Sequence, residues 1–79
     1  MHPINSAKQI GATLAARRKA LELSQTHVAG RLGLSQNRLS ELESHPETLT
    51  VEQLLALANV LGLEVAIGER VGGKNKVEW

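Results

Sequence analysis

The fold is decided by QTHVAGRLGLSQNRLSELES, residues 25–44. Ser24, just before it, has the side chain of a good helix cap, and Val28, Ala29 and Leu32 then fall on one face. That spacing predicts a helix from Gln25 to about Arg31. Gly33 offers the left-handed backbone that ends a helix. Ser35 caps a further helix from Gln36 to about Ser44, with Leu39 and Leu42 on its inner face. Val28, Leu32, Leu34, Leu39 and Leu42 are apolar where two helices must touch, Ala29 is small where they cross, and Gly33 sits at the turn. These positions agree on two short helices packed across a tight turn.

Outward from this stretch the chain continues in helices. Ser6-Ala7-Lys8-Gln9 reads as a capping box, and Ile10, Leu14 and Leu21 follow at spacings of four and seven. A first helix is expected from about Ala7 to Leu21, broken by ELSQ. After residue 44, His45-Pro46-Glu47 interrupts, because proline disfavours helical geometry in the residue before it. Thr50-Val51-Glu52-Gln53 is a second capping box and opens a helix to about Val60. Leu54, Leu55, Leu57, Ala58 and Leu61 give that helix a broad apolar face, and Gly62 stops it. LEVAI, residues 63–67, switches to period two, with Leu63, Val65 and Ile67 on one side and Glu64 and Ala66 on the other. A lone strand needs a partner and the sequence contains no second one. Pairing of Leu63, Val65 and Ile67 with the same strand of another subunit is therefore expected. GERVGGKNKVEW, residues 68–79, is rich in glycine and charge and has no core pattern. The expected organisation is an N-terminal arm (1–6), a mainly α domain that ends in the pairing strand (7–67) and a flexible C-terminal tail (68–79).

Composition narrows the function. A chain of 79 residues is expected to form one domain, and dimerisation would add buried area. There is no cysteine, hence no disulfide framework or thiolate metal site. MHPINSAK lacks the apolar run of a signal peptide, and no stretch is apolar enough to span a membrane, so a soluble, cytoplasmic protein is expected. The net charge of +1 hides an asymmetry: residues 1–40 hold six basic side chains against one acidic, residues 41–79 three against seven. The basic first half can face a polyanion. His2, His27 and His45 are far apart and lack a carboxylate spacing that would complete a ligand set, and His45 is read as interacting with a helix end. The chain contains no Asp, no Ser/His/Asp arrangement and no glycine-rich phosphate loop, so neither an enzyme nor a cofactor is expected.

On these motifs, residues 10–67 resemble the Cro/repressor-type helix-turn-helix family, which implies a four- or five-helix DNA-binding domain. More narrowly, four helices, a strand after the "LGLEV" turn and a short tail ending in Trp79 resemble HipB-type antitoxins. Those are dimeric repressors that partner HipA-type Ser/Thr kinase toxins. The resemblance implies a homodimer on a palindromic operator in double-stranded DNA, with the toxin as a further partner.

In such a domain the exposed start of the third helix enters the major groove. Gln36 and Asn37 can each contact an adenine edge through two hydrogen bonds, and Arg38 could reach a guanine or a phosphate. Ser35 and Ser40 share that exposed face. Gln25, opening the second helix, is expected to hold a phosphate, with Thr26, Arg17 and Lys19 as further phosphate contacts. By resemblance, Arg18 and Glu43 form a partly buried ion pair between the first and third helices. Gly30 weakens the second helix by about 1 kcal/mol relative to alanine and is expected to be exposed. Trp79 is the only aromatic side chain in the protein and stands in a polar tail, where it is read as an anchor for the toxin. The expected function is a DNA-binding repressor acting as an antitoxin. Alternatives are a stand-alone repressor and an interaction adaptor without DNA binding.

Overall fold

The computed structural model describes residues 3–70, and within them the chain is helical. The helices are α1 (Ala7–Ala20), α2 (Gln25–Arg31), α3 (Gln36–Ser44) and α4 (Val51–Val60), with a 3-10 turn at Pro46–Thr48. Each α-helix starts on a hydroxyl side chain. Ser6, Ser24, Ser35 and Thr50 accept from the backbone N–H of Gln9, His27, Arg38 and Gln53 respectively. At Ser6 and Thr50 the reciprocal glutamine bond completes a capping box, as the sequence predicts. Helix α1 ends one residue before the expected Leu21, which caps it instead. Glu22 then takes the left-handed conformation at φ 59° while Leu23 N–H donates back to Arg18 O.

The core lies where α1, α2, α3 and α4 converge. Leu14, Val28, Ala29, Leu39, Leu57 and Leu61 form its buried cluster, and Leu42 is fully buried beside them. Helix α3 packs on both α2 and α1, so the expected reading element is held from two sides. Its approach to α1 depends on Gly11. A Cβ at that position would lie 2.5 Å from the Glu43 carbonyl oxygen and 2.8 Å from Pro46 Cγ. The opposite end of α1 is tied to α4, where Arg17 Nε donates to Leu61 O at 2.9 Å.

Beyond Gly62, which takes φ 68°, Leu63 N–H returns to Ala58 O and the chain then runs without regular structure to residue 70. No strand occurs among the described residues. A ladder needs two strands, and the described residues offer 63–67 no partner, so the expected strand does not form among them. Trp79 and most of the expected tail lie outside the described residues. No helix among the described residues is long and apolar enough to cross a membrane.

Candidate nucleic-acid interface

The candidate interface is built around one ion pair, Arg18 with Glu43. Arg18 is the buried charged side chain among the described residues. It meets Glu43 side-on, with Nε 2.8 Å from Oε2 and Nη2 3.2 Å from Oε1. Its Nη1 donates to Leu23 O at 2.9 Å. Such a pair is tolerated in a small core because its donors and acceptors are satisfied, and no buried side-chain polar atom among the described residues lacks a partner. The pair fastens α1 to α3 in the arrangement that the family resemblance implies.

A chain of polar contacts leads from this pair toward the surface. Gln25 Nε2 donates to Glu43 Oε1 at 2.9 Å, and Gln36 Nε2 donates to Gln25 Oε1. The side chains that open α2 and α3 therefore touch, which sets the two helix starts side by side. The outermost amide, Gln36, is linked through Gln25 and Glu43 to a buried guanidinium. Each link removes rotameric freedom from the next, so Gln36 is oriented before any ligand arrives.

The remaining expected site residues divide by what they touch. Asn37 is exposed on the first turn of α3. Ser35 spends its hydroxyl on capping Arg38 N–H at 3.1 Å. Arg38 Nη1 pairs with Glu41 at 3.1 Å on the same helix, a half-exposed contact that a stronger acceptor could displace. Ser40 is partly buried, while Thr26 and Lys19 are exposed. Arg17 sits apart from this group in its contacts, since its Nε is engaged at the end of α4. Its Nη groups are left for any phosphate contact. His45 caps α3, donating its backbone N–H to Glu41 O, and places Nδ1 3.5 Å from the Glu47 carboxylate.

Two features escape a reading of the sequence. The Gln25–Glu43 contact joins residues 18 apart, and no local pattern signals it. Gly11 leaves a trace: a glycine inside a helix costs stability and therefore calls for a packing reason, here the Glu43 carbonyl and Pro46. Gly30 meets nothing within 4 Å, and it is exposed as expected.

What the arrangement can do is offer two amides and a serine-capped helix start to an extended polar ligand, with cations nearby. That is the chemistry of base-edge and phosphate recognition. The sequence profile of the helix-turn-helix family matches residues 14–67, more than half of the chain. Neither the curated proteins nor the solved structures contain a significant match. With the profile covering α2, the turn and α3, the chain belongs to the helix-turn-helix family of the Cro/repressor type, a family of DNA-binding transcription regulators.

Proposed function

We propose that this chain is a homodimeric, sequence-specific repressor that serves as the antitoxin of a HipA-type kinase toxin and represses its own operon. The observation that carries the DNA-reading half is the fixed amide pair, Gln36 held by Gln25, on the start of α3. Gln36 and Asn37 read base edges in the major groove. Arg38, once it exchanges Glu41 for DNA, adds a guanine or phosphate contact, and Ser35 and Ser40 flank them. Gln25, Thr26, Lys19 and the Nη groups of Arg17 hold the backbone in register.

Two copies would present two such helices, matching a palindrome whose half-sites lie about 34 Å apart. The basic bias of residues 1–40 supplies the attraction to phosphate, and the acidic second half keeps its own charge away from that task. The antitoxin role is supported by the resemblance of the "LGLEV" turn and the tail ending in Trp79 to HipB-type antitoxins. A lone tryptophan behind Gly72-Gly73 is suited to docking in a pocket of a partner.

A mobility shift on DNA upstream of the chain's own coding sequence tests the repressor. A discrete complex that outcompetes scrambled DNA is expected, and no preference for any upstream DNA would overturn the reading. Co-purification with a neighbouring kinase-like product tests the antitoxin. Trp79→Ala should weaken that capture by at least about tenfold, as hot-spot truncations do. If Trp79→Ala is captured as tightly as the intact chain, the docking role of the tryptophan is wrong. A repressor that binds its operator yet captures no kinase would instead be the stand-alone type.

A further inference from the structure

Residues 63–67 expose more apolar surface than an isolated chain needs. Ile67 is 99% and Val65 45% exposed, although both share the apolar side of the segment with Leu63. The backbone of residues 64–67 makes no hydrogen bond among the described residues. Beside the segment lies an open groove of about 500 Å³. Ile4 of the N-terminal arm, Ile10 of α1, Leu54 of α4 and the segment's own Leu63 and Val65 line it, with buried Leu14 and Ala58 at its base.

We propose that a second copy of this chain fills this groove with its Ile67, while the first copy's Ile67 enters the equivalent groove of the partner. The inference rests on the homodimer reading and adds to it a register and a receptor. A two-fold axis pairs antiparallel strands about one residue, and side chains directly opposite share a face. Centring on Glu64 would oppose two carboxylates, which is unfavourable. Centring on Ala66 would set Leu63 against Glu69. Centring on Val65 sets Val65 against its own copy, Glu64 against Ala66, and Leu63 against the partner's Ile67. Because Leu63 lines the groove, the side chain opposite it is delivered to the groove's mouth. The exposed side chain and its receptor thus belong to one self-complementary patch, as a closed two-fold contact requires.

The absence of cysteine makes the register directly readable. Val65→Cys should give a disulfide-linked dimer under mild oxidation, since directly opposed residues sit about 4.5–5.5 Å apart at Cα. Ile67→Cys alone should not cross-link, but mixed with Leu63→Cys it should. Ile67→Ser should weaken dimerisation roughly a hundredfold in sedimentation, since both copies lose a buried side chain. Its helical circular dichroism should be unchanged, because Ile67 touches little within its own chain. If the intact chain dimerises but Val65→Cys stays unlinked or Ile67→Ser dimerises as tightly, the groove-filling contact is wrong and the homodimer stands. A monomeric intact chain would overturn both, while the mobility shift reports separately on DNA recognition.

Discussion

Arg18 joins the packing of α1 on α3 to the polar chain that ends at Gln36. Its guanidinium holds Glu43, and Glu43 in turn holds Gln25 against Gln36. Removing only the arginine strands a carboxylate in a nearly dry site. Arg18→Met should therefore cost about 3–5 kcal/mol, readable as a lower denaturation midpoint. Pairing it with Glu43→Leu should recover much of that stability, because a matched apolar pair replaces a matched ionic one. DNA affinity should stay low in the double variant, since Gln25 loses the acceptor that orients it. If the double variant recovers affinity along with stability, the polar chain does not position Gln36. The glycines make a second residue-level contrast. Gly30→Ala should stabilise by about 1 kcal/mol, having open space around it. Gly11→Ala should destabilise by about 1–3 kcal/mol, because the new methyl meets a backbone carbonyl that cannot step aside. Chemical denaturation of both variants checks the pair, and equal effects would contradict the close α1–α3 approach.

Among the elements, what could be read in advance depended on the range of the interactions involved. Helices α2, α3 and α4 begin and end where capping hydroxyls, apolar spacing and Gly33, Pro46 or Gly62 place them, since each of those signals acts within one or two turns. The Arg18–Glu43 pair was legible only through family resemblance, as it joins residues 25 apart. Arg17 shows the limit: its cationic side chain reads as a phosphate contact, yet its Nε closes the end of α4 across 44 positions. Segment 63–67 is legible as a pattern but forms no ladder among the described residues, which hold no second strand. Thr50→Ala tests the local logic at α4. It should cost about 1 kcal/mol by removing the acceptor for Gln53 N–H, measured as a shift in thermal midpoint. No shift would mean that tertiary packing alone fixes the start of the helix.

For the molecule as a whole, charge and shape divide the labour. The basic first half carries α1, α2 and the start of α3, including Gln25 and the exposed Gln36 of the polar chain. The acidic second half carries α4 and the exposed apolar segment that we assign to a second copy. Binding to DNA should weaken steeply with salt, because phosphate neutralisation releases counterions, and Lys19→Ala should lower that slope by about one. Such a variant should lose affinity evenly for operator and scrambled DNA. Substitutions at Gln36 and Asn37 should behave in the opposite manner and reduce discrimination. The most direct measurement is fluorescence anisotropy of the intact chain and the Gln36→Ala/Asn37→Ala double variant, each titrated onto its own upstream DNA and a scrambled duplex. An unchanged melting temperature, a loss of more than about tenfold on the operator and little change on the scrambled duplex are expected. A double variant that still prefers its operator as strongly as the intact chain would contradict the claim that the start of α3 reads the sequence.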